Sequence, residues 1–155
     1  MIKTIELSKE WGTHLPVLMK LMSMTSGNVL EVGTGIYSTP FLHWACFMQG
    51  RKLVSVENSE EHFDYAKQYE ETFHIIQKEV PEAGEWDIVF IDSFPHENRK
   101  EIVRKLANKA KYVVVHDFDG RESYADIFKY FSHYTEVMPE TGIFSNVINL
   151  EHLKA

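Results

Sequence analysis

Short apolar runs alternate with amphipathic stretches along most of the chain, and this alternation restricts the possible folds more than composition does. The clearest runs read VLEV, LVSV, WDIVFI and KYVVV. The last two are apolar at most positions, which is typical of strands that are covered on both faces. Five strands, each followed by a helical stretch, predict an α/β protein with a parallel sheet between two layers of helices.

The predicted elements follow from these runs and from the capping signals around them. Strands are expected at 28–32, 53–56, 73–77, 86–91 and 111–115. Helices are expected at 13–24, with Thr13 as N-cap, and at 40–49, 59–70, 96–109 and 123–131. The helix at 40–49 is apolar on most sides and should be deeply packed. Two last strands, near 134–138 and 143–150, are expected to form an antiparallel edge joined through Pro139 and Gly142.

Size and composition indicate one domain. The chain has 155 residues, 44% of them hydrophobic and 25% charged, which excludes collagen-like and intrinsically disordered chains. We expect residues 1–155 to form a single domain, with 1–26 as an N-terminal helical cap and 27–155 as the sheet core. The only cysteine, Cys46, excludes an internal disulfide and a multi-cysteine zinc site and is read as a core residue.

Charge and hydropathy bear on the localisation of the protein and on its binding partners. The formal net charge of −7 makes nucleic acid an unfavourable partner. The first residues show no signal peptide, and the apolar runs are much shorter than the roughly 18–20 residues that span a bilayer. We therefore expect a cytoplasmic protein with no membrane partner.

The predicted ligand site lies at the carboxyl ends of the strands, where open parallel sheets bind their ligands. Each predicted parallel strand ends in or near an acidic residue. These residues are Glu31, Glu57, Glu79, Asp92 and Asp117, the last preceded by His116. An acidic site favours a cationic ligand or proton-transfer chemistry.

The first of these loops, LEVGTGIYST, is the most informative. Gly33 and Gly35 permit a tight turn and a close approach of a ligand to the backbone. In the dinucleotide fingerprint the third glycine would fall at Ser38, and Glu31 is awkward beside a pyrophosphate. That carboxylate suits a ligand that carries an ammonium and a sulfonium. Glu57 lies 22 residues after Gly35, the spacing at which an acid binds ribose hydroxyls.

Taken together, LEVGTGIYST, LVSVEN, WDIVFIDS and KYVVVHD resemble the class I S-adenosylmethionine-dependent methyltransferases, over about residues 29–150. The resemblance implies a three-layer αβα Rossmann-like fold. Its seven-stranded sheet is mostly parallel, in the order 3-2-1-4-5-7-6 with an antiparallel strand 7. It also implies S-adenosyl-L-methionine as the cofactor.

The resemblance further implies a set of cofactor-binding residues. They are Glu31, Gly33, Thr34, Gly35, Tyr37, Ser38, Glu57, Asn58, Glu79, Val80 and Asp92. The stretch 33–35 would pass the methionine part, Glu57 would bind the ribose, and Glu79 with Val80 would border the adenine. Tyr37 stands where the family often has a third glycine.

Three residues at the ends of the fourth and fifth strands are the candidate catalytic groups. Asp92, His116 or Asp117 could serve as general base if the acceptor must lose a proton. The same groups could instead hold Mg²⁺, as acids after these strands do in the catechol-type O-methyltransferases. Phe118 replaces the asparagine of that site, so no metal is expected. His14 and the remaining histidines show no ligand spacing.

These observations predict a methyltransferase that acts on an oxygen or nitrogen atom of a small molecule. The chain has no inserted substrate domain, so the pocket is either shallow or completed by another subunit, and a homodimer is possible. The alternative is a non-catalytic S-adenosylmethionine-binding module that works with a partner subunit. A nicotinamide-dependent oxidoreductase is a third reading, disfavoured by Ser38 and Glu31.

Overall fold

A seven-stranded sheet organises the chain in the computed structural model, which describes residues 8–118, 123–137 and 139–153. The strands are β1 (Val29–Val32), β2 (Leu53–Val56), β3 (His74–Gln77), β4 (Trp86–Ile91), β5 (Ala110–Val115), β6 (His133–Val137) and β7 (Thr141–Ser145). The α-helices are α1 (Leu15–Met24), α2 (Ser38–Gln49), α3 (Glu60–Lys67) and α4 (Arg99–Leu106). Short 3₁₀ turns lie at Glu10–Gly12, His96–Asn98, Phe128–Tyr130 and Glu151–Leu153.

The strand order is β3-β2-β1-β4-β5-β7-β6, and it confirms the predicted topology. Strands β1 to β5 pair in parallel, whereas β7 runs antiparallel to both β5 and β6. The chain leaves β1 toward β2 on one side and later returns to β4 on the other. This reversal opens a crevice beyond the carboxyl ends of β1 and β4, where ligands of such sheets bind.

Alternate residues of each central strand pack on opposite faces of the sheet, so both faces are apolar. Ile88 and Phe90 of β4 belong to the core cluster that includes α1 and α2. Val89 and Ile91 belong to the cluster that includes α4. The prediction of a sheet covered on both sides is therefore confirmed.

Two of the predicted strand-then-helix units, those that begin with β3 and β5, show no α-helix among the described residues. Within the described residues, α-helices follow only β1, β2 and β4, and residues 78–85 form a loop. The helix predicted at 123–131 is wrong, because 123–127 are turns and a 3₁₀ turn follows at Phe128–Tyr130. Tyr124 and Phe128 pack on Phe144 of β7. Aromatic residues have modest helix propensity, so these ring contacts decide the backbone path.

Two further expectations are corrected. Helix α2 is not deeply packed all round, since Trp44, Phe47 and Met48 are 59%, 54% and 78% exposed. The last strand ends at Ser145 rather than at 150, because the Ser145 hydroxyl accepts hydrogen bonds from two following backbone N–H groups and turns the chain. No helix in the described part of the chain combines the length and apolar character that crossing a bilayer requires.

Candidate functional site

A cavity of about 570 Å³ opens at the carboxyl ends of β1, β2 and β4. Its wall is formed by the glycine loop at 34–38, by residues 57–59 after β2, and by one side of α3. Trp11 and Phe94 contribute exposed rings, at 56% and 75% exposure. Three carboxylates line the cavity, from Glu57, Glu61 and Asp92, whereas its described lining contains no lysine or arginine.

A second, smaller cavity of about 100 Å³ adjoins the first. The two share Glu57, Asn58 and Phe94 as lining residues. Its apolar walls come from the ends of β1 and β2, from Val80 and from Ile102 of α4, and its polar lining includes Lys78 and Asn98. The site therefore has a large acidic compartment beside a small, partly apolar one, with the acid of Glu57 where they meet.

Gly33 is required by the fold. Its φ is +92°, a conformation that other residues rarely adopt. A Cβ at this position would lie 2.5 Å from the backbone carbon of Asp92 and from the backbone nitrogen of Ser93. The first glycine thus lets the loop after β1 pass against the chain that leaves β4.

Gly35 has no such structural requirement. Its φ is not positive, so its backbone conformation is open to other residues. An added Cβ would meet only the Ser38 hydroxyl at 3.5 Å, an ordinary contact. Gly35 lines the large cavity. The packing of the described residues therefore does not require glycine at this position.

Glu31 supports the loop from behind. It is fully buried and does not line either cavity. Its carboxylate accepts hydrogen bonds from the hydroxyls of Thr39 at 3.0 Å and Ser55 at 2.5 Å. The Thr39 hydroxyl in turn accepts the N–H of Gly35. Burial raises the pKa of Glu31 to about 7, against the lowering effect of hydrogen bonds from neighbouring hydroxyls. Its predicted contact with a cofactor stays a prediction.

Glu57 joins the glycine loop to the start of α3. One of its oxygens accepts the N–H and the hydroxyl of Thr34, at 2.9 and 3.0 Å. The other oxygen accepts the N–H groups of Asn58 and Ser59, both at 2.9 Å. The Thr34 hydroxyl also lies 3.4 Å from the His62 carbonyl. A ligand hydroxyl can therefore take the place of the Thr34 hydroxyl on Glu57, because the Thr34 hydroxyl still has the His62 carbonyl as an acceptor.

Tyr37, where the resemblance expects glycine, joins the N-terminal segment to the loop. Its hydroxyl donates to the carbonyl of Ser8 at 3.0 Å. Its ring lies against Gly12, where an added Cβ would be 3.3 Å from the ring. The ring thus forms part of the cavity wall beside residues 8–12.

Asp92 is the one of the three candidate catalytic residues that lines the cavity. Its Oδ1 pairs with the Arg99 guanidinium at 3.0 Å, and its Oδ2 lies 3.2 Å from Nδ1 of His116. Arg99 is buried and also donates to the carbonyls of Ser93 and His116. Arg99 therefore holds the ends of β4 and β5 together beside the cavity.

His116 lies behind Asp92, and its side chain is buried. Burial lowers its pKa, but the neighbouring carboxylates of Asp92 and Asp117 outweigh this effect and raise the pKa above its ordinary value. Its Nε2 lies 2.9 Å from the Thr13 hydroxyl. Thr13 is therefore not the N-cap of α1, which begins at Leu15, because its hydroxyl contacts His116 and the Glu10 carbonyl instead.

Two other predicted residues lie outside the cavities. Asp117 is 42% exposed, adopts a φ of +48° and lies 3.7 Å from Arg99. Glu79 is exposed, although its neighbour Val80 lines the smaller cavity. Their predicted roles stay predictions. Phe118 is buried in the core against Gly142 and cannot offer a ligand atom.

Sequence reasoning missed His14, Arg99 and Phe94. Each comes from a segment whose pattern indicates a helix or loop rather than a site. His14 is buried, and burial, with the nearby His116, lowers its pKa to about 4 despite the opposing charge of Asp92. The one available signal was Arg99, a cation at the start of α4, where the helix dipole disfavours positive charge.

Comparisons with solved structures agree on the fold. PaMTH1, a methyltransferase of Podospora anserina bound to SAH, aligns with a TM-score of 0.67 at 10% identity, over 90% of this chain and 79% of that one. The delta-N METTL16 methyltransferase domain aligns at 0.60 and 11% identity, over 87% and 82%. A methyltransferase of Pyrococcus furiosus aligns at 0.57 and 18%, over 86% and 83%. No protein-family description and no curated protein matches the sequence.

Proposed function

We propose that this chain, which has the fold of the class I S-adenosylmethionine-dependent methyltransferases, binds S-adenosylmethionine and transfers its methyl group to a small-molecule acceptor. One observation carries the proposal. An acid-lined cavity, bounded by the glycine loop and Glu57, opens at the switch point of the sheet beside a small, partly apolar compartment. In this proposal residues 1–155 act as one cofactor-binding domain.

The residues at the site fit such a cofactor. The bare backbone of Gly35 allows the methionine part to lie against the loop. Glu57 has an exchangeable partner in Thr34, so it can accept ribose hydroxyls. The apolar walls formed by Val80 and Ile102 suit the adenine ring. When bound, the cofactor supplies a methyl group carried on a cationic sulfur.

The charge of the cavity supports this cofactor over a dinucleotide. A pyrophosphate in the large cavity would face the carboxylates of Glu57, Glu61 and Asp92. The one lysine or arginine in the described lining of the two cavities is Lys78 of the smaller cavity, which pairs with Glu60. Like charges at close range in a partly buried site are unfavourable, whereas a sulfonium and an ammonium are attracted. The same argument disfavours a nicotinamide-dependent oxidoreductase.

The protein's contribution to the reaction is to position the acceptor, exclude water and accept a proton. Holding two reacting groups close together and correctly oriented removes a large part of the entropic barrier. Asp92 lines the cavity, so its carboxylate can take a proton from an acceptor hydroxyl or amine. Arg99, 3.0 Å from Oδ1, holds Asp92 in place and stabilises its charge.

The acceptor is proposed to be a small molecule because the cavity must hold both reactants in about 570 Å³. One observation favours the alternative of a non-catalytic module with a partner subunit. Trp11 and Phe94 are exposed at the cavity, and a partner could cover them. The exposed face of α2, with Trp44 and Met48, is also where a homodimer would be sought by sedimentation velocity.

Calorimetric titration tests the first half of the proposal. We expect saturable binding of S-adenosylmethionine and S-adenosylhomocysteine, and no binding of NADH at the same concentrations. If neither sulfur compound binds at millimolar concentration, the proposal is wrong. Incubation with methyl-labelled cofactor and a metabolite extract tests the second half. Transferred label supports the enzyme, and binding without transfer supports the module.

A further inference from the structure

Three potential metal ligands from distant parts of the sequence meet beside the large cavity. His14 precedes α1, Asp92 follows β4 and His116 follows β5. One ligand atom from each lies within 4.8 Å of the others. His14 and Asp92 also line the cavity, so the cluster lies at its wall.

His14 is the least explained residue of the cluster. It is 1% exposed, and neither of its ring nitrogens has a hydrogen-bond partner among the described residues. Its ring packs on Phe90 and on the edge of His116, with ring centroids 4.6 and 4.4 Å apart. A buried polar group without a partner costs about 1–3 kcal/mol, so a missing partner is expected here.

The contacts of His116 fit a ring whose Nδ1 is free to bind a metal ion. In the tautomer with the proton on Nε2, the His116 ring donates to the Thr13 hydroxyl at 2.9 Å, and that hydroxyl donates to the Glu10 carbonyl at 3.2 Å. In the neutral imidazole, Nδ1 then carries a lone pair. That atom is buried, and although it lies 3.2 Å from Oδ2 of Asp92, it lacks the alignment of a hydrogen bond. Two atoms that are close but not hydrogen-bonded to each other, as Nδ1 and Oδ2 are here, are arranged as two ligands of one metal ion would be.

Asp92 divides its two oxygens between different partners. Oδ1 is held by Arg99 at 3.0 Å, which orients the carboxylate. Oδ2 faces His116. Arg99 and Thr13 thus contact the cluster in the way that surrounding groups usually orient metal ligands: the histidine donates its second N–H, and the carboxylate is hydrogen-bonded.

We propose that His14, Asp92 and His116 form a binding site for a divalent first-row transition-metal ion such as Zn²⁺ or Co²⁺. Two imidazoles and one carboxylate suit these ions, whereas Mg²⁺ and Ca²⁺ require mainly oxygen ligands. Ligand atoms around a tetrahedral zinc lie about 3.4 Å apart, so a modest inward movement of the side chains completes the site.

This ligand set differs from the acid pair of the catechol-type enzymes. Asp117 is directed to Arg99 and lies outside the cavity lining, whereas His14 from the N-terminal segment takes part. A proton shared between Asp92 and His116 is the competing explanation. It accounts for that pair but leaves both nitrogens of His14 without a partner.

The test is a metal titration of the full chain after treatment with a chelator, without cofactor. We expect about one Zn²⁺ bound per chain with micromolar or tighter affinity, and the intense visible absorption of a low-symmetry Co²⁺ site with nitrogen ligands. The His14→Gln and His116→Gln variants should bind at least tenfold more weakly. The matched control is His152→Gln, an exposed histidine outside the cluster, which should bind like the wild type.

Folding is checked in the absence of metal. The His14 side chain makes no hydrogen bond among the described residues, so His14→Gln should unfold near the wild-type temperature while losing the rise in unfolding temperature that Zn²⁺ causes. Absence of stoichiometric uptake by the wild type overturns the proposal, and so does equal weakening in His152→Gln and His14→Gln. Because no cofactor is present, this outcome is independent of whether S-adenosylmethionine binds.

Discussion

Replacing Gly35 by alanine separates the binding role of the glycine loop from its structural role. The added Cβ meets only the Ser38 hydroxyl at 3.5 Å and the backbone is not left-handed, so folding should tolerate it. A Gly→Ala change at a compatible position raises stability by about 0.4–1 kcal/mol through the unfolded state. Gly35 lines the large cavity, so the same methyl group is added at the cavity wall. Overpacking of a fitted contact costs about 1–3 kcal/mol, which weakens binding roughly five- to 150-fold.

The assay is paired calorimetry and thermal unfolding on the same preparation, with S-adenosylhomocysteine as ligand. The Gly35→Ala variant should keep or slightly raise its unfolding temperature. Its affinity should fall at least fivefold, which corresponds to about 1 kcal/mol, the lower end of the range for overpacking. Gly33→Ala is the contrast, because its Cβ would lie 2.5 Å from the backbone at Asp92, and it should lose at least about 2 kcal/mol of stability. Unchanged affinity in a folded Gly35→Ala variant would refute the idea that a ligand lies against this backbone.

Three further changes probe the elements around the site. Glu31 keeps its proton to about pH 7 in the fold but releases it near 4.5 when unfolded. The stability that this raised pKa contributes is therefore fully present below pH 4.5 and is lost as the pH rises to about 7. The free energy of unfolding should fall by about 3 kcal/mol over this range. Glu31→Gln should flatten that decline in urea unfolding, and an unchanged slope would contradict the assignment. Phe94→Ala should leave the unfolding temperature nearly unchanged, because the ring is 75% exposed, yet raise the dissociation constant for S-adenosylhomocysteine about tenfold. Arg99→Met should lose about 3 kcal/mol in the same unfolding assay, because it leaves Asp92 without its buried partner, and a loss below 1 kcal/mol would count against that role.

The parallel core and the glycine loop were predictable because their signals are local. Two-sided burial makes β4 and β5 apolar at nearly every position, and that pattern is visible in the sequence. The sharp turn after β1 needs glycine for steric reasons that hold in any surroundings. The 123–131 segment was misread because its aromatic residues are spaced as in a helix, whereas contacts with Phe144 in a later strand determine its path.

The sequence by itself determined the α/β class, the strand order implied by its resemblance, and the place of the glycine loop. Only the tertiary structure decided which acids face the cavity. Glu31 and Asp92 both end strands, but Glu31 is enclosed by the hydroxyls of Thr39 and Ser55, while Asp92 is open to the cavity. It also brought His14 to His116 across more than a hundred residues. Such encounters depend on how helices pack on the sheet, and no local pattern in the chain records that packing.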